Sequence, residues 1–382
     1  MSGELRVLVI GCGWISRQVH LPYLAAHHRA GTLRALLVAD EDGDRAAAAA
    51  RDFGARPYSG PVADAEADVV LIATPPASHA GLTVSALAGG SHVITEKPLA
   101  LTAADAAAIL AASARHGRGV YPLYTARHRP EAALIRAALG PHLGDVLQVR
   151  ASWLRRAGVP VTAGGTQAGV LWDLGSHLAD ISLYLAGWTV IAGSVRARHT
   201  HPAGNGKPLA GQRASWQSPA ACGSAPAPAW HGVRADAALT GRRQGAAPRW
   251  LSVQASWSAP VARDETRIEF IGEHSRLVWR TVLGWSPDRQ AIPGPAVWIA
   301  RHGRRRPDRV LLARQPRDPA AEYTAQLDAA LAALTGYHGD PGRCDSALRS
   351  ACAGTAVLDA AQASLRTCAP HRFTMTVPAT KE

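Results

Sequence analysis

The residues Leu5–Ile10 (LRVLVI) run directly into Gly11–Ser16 (GCGWIS), and this combination indicates the fold class. The short apolar run is typical of a buried parallel strand. In the pattern G-x-G-x-x-S, the first glycine permits a tight turn, and the second lets the backbone approach a pyrophosphate at the N-terminus of the next helix. Ser16 replaces the usual third glycine and is still small. A helical stretch to about His27 and the apolar run Thr32–Ala39 complete a β-α-β unit, which predicts dinucleotide binding.

The residue that follows the second strand, Asp40, bears on the choice of dinucleotide. A carboxylate at this point accepts hydrogen bonds from the ribose hydroxyls of NAD and repels the 2′-phosphate of NADP. The sequence therefore favours NAD. Two alternatives stay open: Asp40 caps the helix that starts near Asp44, or the neighbouring Arg45 accommodates NADP.

Strands and helices alternate throughout the N-terminal part of the chain. Further apolar runs with strand character are Asp68–Ala73, Ser91–Thr95 and Gly119–Leu123. This alternation predicts an α/β fold with a doubly wound parallel sheet. Ligands of such sheets bind beyond the carboxyl ends of the strands, where Gly11, Asp40, Thr74 and Lys97 lie.

Three stretches carry a resemblance to a known family: VIGCGWIS at 9–16, the segment 73–100 that begins ATPPASH and ends EKPLA, and GVLWDLGSHLAD at 169–180. The sequence resembles the Gfo/Idh/MocA oxidoreductases, which include glucose–fructose oxidoreductase and inositol dehydrogenase. The resemblance implies a Rossmann domain over 1–123. It also implies an α/β domain over 124–382 with a large, open, mostly antiparallel sheet. Relatives use NAD or NADP to oxidise or reduce a hydroxyl or ketone of a sugar or cyclitol, and they assemble as homodimers or homotetramers.

The resemblance also assigns individual residues. Lys97 matches the lysine of the E-K-P motif, Asp173 and His177 match a D-x-x-x-H motif, and Arg127 resembles the arginine of an R-x-x-P motif. The segment 153–160 is similar to one that leads into the substrate pocket of some relatives. The candidate cofactor-binding residues are Gly11, Gly13, Trp14, Ile15, Asp40, Thr74, Pro75, His79, Glu96, Lys97 and Arg127. The candidate substrate-binding residues are Lys97, Trp153, Arg156, Trp172, Asp173 and His177.

The candidate catalytic residues are Lys97, Asp173 and His177. Asp173, His177 and Asp180 are spaced i, i+4 and i+7, so a helix would place them on one face. Histidine titrates close to neutrality, which suits His177 to general-base catalysis, with Asp173 or Asp180 holding its ring. The Lys97 ammonium would donate to the substrate oxygen. The non-functional alternatives are that Asp173 and His177 form a solvated pair within one helix and that Lys97 is an ordinary surface lysine. The chain has only three lysines among 41 basic residues, so a lysine within this motif is less easily incidental.

Composition excludes several classes of protein. The net charge is +12, but the arginines are dispersed and no nucleic-acid-binding motif is present, so genome bias explains the charge better than a nucleic-acid partner. Five cysteines without a C-x-x-C pattern argue against a disulfide framework or a zinc site, and we expect no metal. We find neither an apolar run long enough to span a membrane nor a basic leader, which leads us to expect a cytoplasmic protein.

The second half of the chain is less regular. Its predicted strands are 146–154, 190–198, 250–258, 266–271, 276–279 and 373–377, and helices are predicted around 323–334 and 347–364. Residues 199–249 are rich in Gly, Pro, Ala and Ser and lack clear periodicity. We consider a mobile insertion, a protruding hairpin and an oligomer contact for this segment, and we favour a partly ordered insertion without chemistry of its own.

The function predicted from the sequence is an NAD(P)-dependent dehydrogenase or ketoreductase acting on a secondary alcohol or ketone of a sugar, cyclitol or sugar conjugate. The composition and the insertion suggest tailoring of an antibiotic sugar, such as that of an aminoglycoside. Two alternatives remain from the family: a glycoside hydrolase or epimerase that works by transient oxidation, and a non-catalytic regulator that senses dinucleotide. Lys97, Asp173 and His177 together argue against the regulator, because a sensor needs no proton relay.

Overall fold

The computed structural model describes residues 5–156, 169–202, 230–241, 247–257, 259–284, 294–304, 306–313, 319–337 and 342–375. The chain divides into two compact units. The first runs to Thr125 and also takes in Ala320–Thr355, and the second comprises Ala126–Pro319 and Ala356–Val377.

The helices and strands are numbered in chain order. The strands are β1 (Arg6–Ile10), β2 (Ala35–Ala39), β3 (Arg56–Pro57), β4 (Val69–Ile72), β5 (His92–Thr95), β6 (Val120–Pro122), β7 (Val146–Leu154), β8 (Val190–Pro202), β9 (Trp230–Gly241), β10 (Arg249–Ser256), β11 (Glu265–Gly272), β12 (Ser275–Thr281), β13 (Val297–Arg301), β14 (Arg309–Leu312) and β15 (His371–Thr374). The α-helices are α1 (Leu21–Arg29), α2 (Gly43–Phe53), α3 (His79–Ala88), α4 (Ala103–His116), α5 (Pro130–Leu143), α6 (Gly169–Ala186), α7 (Pro319–Thr335) and α8 (Gly342–Thr367).

In the first unit, the described strands form a six-stranded parallel sheet in the order β3-β2-β1-β4-β5-β6. This is the doubly wound Rossmann order, which reverses between β1 and β4. The central strands are apolar along their whole length because helices cover both faces; every residue of β4, for example, is buried. The predicted doubly wound parallel sheet is confirmed.

The first unit gains α7 from the far end of the chain. Leu327, Leu331 and Leu334 recur at helical spacing, are buried, and join the core cluster built around β1 and β4. The sequence-based division placed everything after residue 123 in the second domain. In the structure, Ala320–Thr355 instead belongs with the first unit. The sequence does not predict that the chain returns to the first unit, because the apolar stripe of α7 does not reveal which sheet it covers.

In the second unit, the described strands form a nine-stranded sheet in the order β14-β13-β12-β11-β7-β10-β9-β8-β15. Only the β7–β10 pair is parallel in this part of the chain, and the other pairs run antiparallel. Burial alternates along β11, whose Ile268 and Phe270 are fully buried. Helix α6 packs on β7, β9 and β10. The predicted large, open, mostly antiparallel sheet is confirmed.

The segment 199–249 contains strand structure that the sequence did not indicate. Strand β8 continues to Pro202 and pairs with β9 in an antiparallel ladder that reaches from Val190 opposite Gly241 to Pro202 opposite Trp230. These described arms correspond to the hairpin alternative, and residues 203–229 lie outside the described residues. The alternation of β9 escaped notice because its inward positions include the small Ala235 and Ala237, which give a weak apolar period.

The structure bears on two expectations drawn from composition, one about disulfide bonds and one about membrane spans. Cys12, Cys344 and Cys352 are buried free thiols, whereas Cys368 takes part in a disulfide bond. The cysteine pattern argues against a disulfide framework, and three of the four cysteines that the structure describes are free thiols. None of the described helices combines the length and the apolar character that a membrane crossing requires.

Candidate active site

The glycine turn after β1 is built for a tight backbone approach. Gly11 has φ +93°, and a Cβ there would lie 2.5 Å from the carbonyl oxygen of Ala73, so the fold itself requires this glycine. Gly13 differs, because a Cβ at that position would meet no protein atom within 4 Å. Its missing side chain leaves open space in front of the backbone, which is what a pyrophosphate needs at this turn. Ser16 closes the turn by donating from its hydroxyl to the Gly11 carbonyl.

Asp40 follows β2 and faces the glycine turn. Its Oδ2 accepts the Cys12 main-chain N–H at 2.7 Å, its Oδ1 accepts the Asp42 N–H at 3.0 Å, and its side chain is only 4% exposed. The helix cap is Asp42, which accepts the N–H groups of Asp44 and Arg45 at 3.1 and 3.2 Å. The alternative in which Asp40 merely caps α2 is therefore wrong, and the carboxylate is free of that duty at the edge where a ribose would bind.

Arg45 lies beside two carboxylates. Its guanidinium is 3.3 Å from Asp40 Oδ1 and 3.2 Å from Asp42 Oδ2. A basic residue engaged in this way has less charge to offer a 2′-phosphate. The open space at Gly13 and the carboxylate of Asp40 together fit a dinucleotide.

Between β4 and the E-K-P turn lies a buried histidine, His79. Its Nδ1 is 2.8 Å from the Pro98 carbonyl oxygen, and its Nε2 is 2.9 Å from the Thr74 carbonyl oxygen. The ring thus ties together the two loops that follow β4 and β5. Thr74 also exchanges a 2.7 Å hydrogen bond with Ser78. Direct contact of the His79 ring nitrogens with a cofactor is not needed to explain this residue, and its cofactor-binding role stays a prediction.

The E-K-P turn begins where β5 ends. Glu96 donates its main-chain N–H to Ile72, which fixes the turn against β4, and the Lys97–Pro98 peptide bond is cis. The Glu96 carboxylate contacts His20, which is buried at the end of a π-helical turn over Ser16–His20. Sequence reasoning did not single out His20, because nothing within the N-terminal motif indicates a partner 76 residues away.

Helix α6 carries the D-x-x-x-H motif in the second unit. Asp173 and His177 are partly exposed, whereas Asp180 is fully buried. The i, i+4, i+7 spacing does place them along one stripe of the helix, but only the first two positions remain accessible. The His177 ring lies against Trp153, with 5.6 Å between ring centroids. The indole Nε1 of Trp257 donates to Asp173 Oδ2 at 3.0 Å.

Asp180 is engaged by Arg127. The guanidinium donates from Nε to Asp180 Oδ2 at 2.8 Å and from Nη2 to Oδ1, and it also lies 4.8 Å from the ring centroid of Tyr184. Burial raises the pKa of the Asp180 carboxyl, and the neighbouring guanidinium acts in the opposite direction. Arg127 engages both carboxylate oxygens of Asp180, so Asp180 is not available to hold the His177 ring. Asp173 is the remaining candidate for that role. A cofactor-binding role for Arg127 stays a prediction.

The remaining candidate substrate residues lie near one another in chain order but differ in exposure. Trp153 and Trp172 are buried, and Arg156 is exposed, with its main-chain N–H donating to Asp264 at 2.8 Å. The rest of the predicted W-x-R-R-x-G-V-P segment, 157–160, lies outside the described residues. Among the described residues, no group of three or more His, Cys, Asp or Glu side chains is arranged to hold a metal ion.

Similarity to known proteins agrees with this arrangement. The model of the Gfo/Idh/MocA oxidoreductase family with an NAD-binding Rossmann fold matches residues 5–124. A protein of Amycolatopsis mediterranei (strain S699), provisionally named UDP-kanosamine synthase oxidoreductase subunit, is 30% identical over 353 residues, which cover 88% of this chain and 90% of the relative. The chain belongs to the Gfo/Idh/MocA family of oxidoreductases. Its first unit is the family's NAD(P)-binding Rossmann domain.

Solved structures extend the likeness in fold to both units of this Gfo/Idh/MocA protein. GenD2 from gentamicin A biosynthesis, solved with NAD, has a TM-score of 0.65 at 21% identity and covers 99% of this chain and 98% of its own. KijD10 from Actinomadura kijaniata, a 3-ketoreductase solved with NADP and TDP-benzene, has a TM-score of 0.63 at 22% identity and covers 94% and 97%. Both NAD and NADP are thus found with this fold.

Proposed function

We propose that the protein is an NAD-dependent dehydrogenase or ketoreductase that acts on a secondary hydroxyl or ketone of a sugar conjugate in antibiotic biosynthesis. Relatives whose names refer to sugar modification support a sugar conjugate as the substrate class. Among them are the UDP-kanosamine synthase subunit and the 3-ketoreductase. A cyclitol is the nearest alternative within the same chemistry. The reaction belongs in the cytoplasm, where the dinucleotide pool is available.

One observation carries the proposal: α6 leaves one histidine and one carboxylate partly accessible and buries the third polar residue of the stripe. Asp180 accepts hydrogen bonds from Arg127. Asp173 is oriented by the Trp257 indole, and His177 lies against the Trp153 ring. An oriented carboxylate with an accessible imidazole on the same helix face is the arrangement of a proton-transfer site.

The roles of the residues follow from their chemistry. His177, as a neutral imidazole, accepts the hydroxyl proton of the alcohol, and Asp173 stabilises the resulting imidazolium. The Lys97 ammonium donates to the substrate oxygen and stabilises the negative charge that develops there. The dinucleotide, when bound, supplies the hydride acceptor. In the reductive direction the same groups act in reverse, so that His177 returns the proton to the new hydroxyl.

The preference for NAD rests on Asp40. Its carboxylate is held by the main chain of the glycine turn and would lie beside the 2′ position of the adenosine ribose. A 2′-phosphate would bring two negative charges against it. Arg45 is the only described neighbour of Asp40 that could attract such a phosphate through an ion pair, and it is already bound by Asp40 and Asp42.

The protein is also proposed to be a homodimer or homotetramer. The second sheet leaves large apolar side chains exposed, with Leu147 at 46% and Trp250 at 51%. In the β7–β10 register Trp250 lies opposite Gln148, so Leu147 and Trp250 point to opposite faces of the sheet, and each is a separate candidate contact. Light scattering of the purified protein tests this part of the proposal, and a mass of one chain would contradict it.

The experiment that tests the function is a spectrophotometric screen. Nucleotide sugars, free sugars, glycosides and cyclitols are incubated with the protein and NAD or NADP, and reduction is followed at 340 nm. A dehydrogenase forms one reduced cofactor for each substrate oxidised. Product formed without net cofactor reduction would point instead to a hydrolase or epimerase that oxidises its substrate transiently.

A further inference from the structure

The Glu96 side chain is held at both of its oxygens. Oε1 lies 2.9 Å from His20 Nε2, and Oε2 accepts the main-chain N–H of Lys97 at 3.1 Å. The carboxylate therefore links the N-terminal helical turn to the very residue proposed to contact substrate. Oε2 accepts the Lys97 N–H through a lone pair that must point toward the main chain of Lys97. His20 holds the Glu96 carboxylate in the orientation that this hydrogen bond requires.

His20 is a costly residue for a purely structural position. Its side chain is fully buried, and its Nδ1 has no hydrogen-bond partner among the described residues. An unpaired buried polar atom is destabilising, and leucine or phenylalanine at this position would avoid that cost. The imidazole must therefore be explained by what its other nitrogen does, and that nitrogen contacts only Glu96 among the described residues.

The pair also controls the charge next to Lys97. Burial by itself would raise the pKa of the Glu96 carboxyl, but the hydrogen bond from His20, together with the charges of His20 and Lys97, outweighs burial and holds the pKa below its ordinary value. Glu96 is consequently ionised at neutral pH. Loss of His20 would remove the largest contributions that lower this pKa, so the pKa of Glu96 would rise.

We propose that His20 is a positioning residue, which, through Glu96, fixes the Glu96–Pro98 turn and maintains a negative charge behind the Lys97 ammonium. The ammonium is the form that can donate to a substrate oxygen, and a neighbouring carboxylate stabilises it. The inference deepens the proposed function, because it rests on Lys97 being the substrate-facing donor.

The scarcity of lysine allows a test that needs no substrate. Acetic anhydride labels neutral amines, and digestion followed by mass spectrometry separates Lys97 from Lys207 and Lys381, which are internal references. At pH 8, His20→Leu and Glu96→Gln should each raise the labelling rate of Lys97 relative to Lys381 by at least about threefold, because loss of the adjacent negative charge favours the neutral amine. His20→Gln keeps a donor near the Nε2 position and should label like the wild type.

A matched control separates this effect from general disturbance of the sheet. His92→Leu removes another histidine of the same unit, one whose Nδ1 accepts the Gly119 N–H at 2.9 Å, and should leave Lys97 labelling unchanged. The double variant His20→Leu/Glu96→Gln should label no faster than either single variant, since both act through one charge. Wild-type labelling in Glu96→Gln, which keeps the shape of the side chain, would overturn the proposal even if His20→Leu did not fold.

Turnover supplies the second readout. In any sugar assay that responds to Lys97→Ala, His20→Leu and Glu96→Gln should lower kcat about tenfold, with the KM for NAD changed less than threefold, and His20→Gln should restore most of the rate. If Lys97→Ala turns over normally, the proposed function of Lys97 fails. If Lys97→Ala is inactive but His20→Leu is not, only the role of His20 fails.

Discussion

The indole Nε1 of Trp257 donates a 3.0 Å hydrogen bond to Asp173 Oδ2, and so joins the end of the second-unit strand β10 to the polar stripe of α6. Hydrogen bonds to a carboxylate are worth about 1.5–3 kcal/mol when their donor is removed. Trp257 itself is 5% exposed, so water has little access to replace the indole. The orientation of Asp173 therefore depends on a residue far from the D-x-x-x-H motif in sequence.

Trp257→Phe keeps the aromatic ring and removes the donor. We expect kcat for a sugar substrate to fall about tenfold, because an unoriented Asp173 stabilises the imidazolium of His177 less well. Trp279→Phe is the control, since Trp279 is fully buried and its indole nitrogen has no hydrogen-bond partner among the described residues. Equal losses of kcat in the two variants would show that the Trp257 hydrogen bond has no special part in turnover.

The two glycines of the first turn should respond differently to alanine. Gly13→Ala should fold with nearly the wild-type melting temperature, because its Cβ meets no protein atom within 4 Å, but should bind NAD at least about tenfold more weakly. Gly11→Ala should lower the melting temperature, because it combines φ +93° with a 2.5 Å approach to Ala73. Thermal melts and NAD titrations distinguish the two, and unchanged NAD binding by Gly13→Ala would argue against a pyrophosphate at this turn.

Asp40 and Asp42 form a second matched pair. Asp40→Ala should raise the ratio of kcat/KM with NADP to that with NAD by about tenfold or more, because it removes the repulsion of a 2′-phosphate and releases Arg45. Asp42→Ala removes the cap of α2 and should cost about 1 kcal/mol of stability. It also removes one contact of Arg45 but keeps the Asp40 carboxylate, so the cofactor preference should change much less than in Asp40→Ala. A wild-type protein that already prefers NADP would contradict the role given to Asp40.

His128 predicts how stability depends on pH. Burial, with a smaller contribution from the charge of Arg127, lowers the pKa of His128 from 6.5 to about 4. Between these values the unfolded chain binds a proton that the folded protein does not, so the free energy of unfolding decreases as the pH falls from about 6.5 toward 4, on the order of 3 kcal/mol in total.

Melting temperatures measured from pH 7 to pH 4.5 check the contribution of His128. His128→Gln should lose less stability over this interval than the wild type, whereas His116→Gln, a change at an exposed position, should follow the wild type. Parallel curves for the wild type and His128→Gln would show that His128 is not responsible for the acid sensitivity.

Much of the first unit could be predicted from the sequence because its signals are local. The apolar run of β1, the glycine turn and Asp40 occur within 36 residues and encode one β-α-β unit. Burial on both faces makes the parallel strands uniformly apolar, which is a strong signal. Strand β9 gave only a weak signal, since two of its inward positions are the small Ala235 and Ala237. The sequence of α7 revealed an apolar stripe but not the sheet that it covers.

Within the candidate site, the sequence predicted residue types and helix spacing but not partners. It could not distinguish Asp173 from Asp180, because both fall on one stripe of α6 and only the fold brings Arg127 to Asp180. The same is true of the contacts of Glu96 with His20 and of Asp173 with Trp257, which join residues 76 and 84 positions apart. Long-range pairs of this kind depend on tertiary structure and leave no periodic trace.

The proposed dehydrogenase activity is tested by following the formation of NADH at 340 nm with the wild type, Lys97→Ala and His177→Ala in the presence of nucleotide sugars and glycosides. We expect at least one such sugar to reduce NAD in a one-to-one ratio with its own oxidation. Each substitution should lower turnover by about a hundredfold or more while NAD binding is kept. Turnover at wild-type rates in both variants would contradict the catalytic roles of Lys97 and His177. No cofactor reduction with any sugar would contradict the proposed dehydrogenase activity.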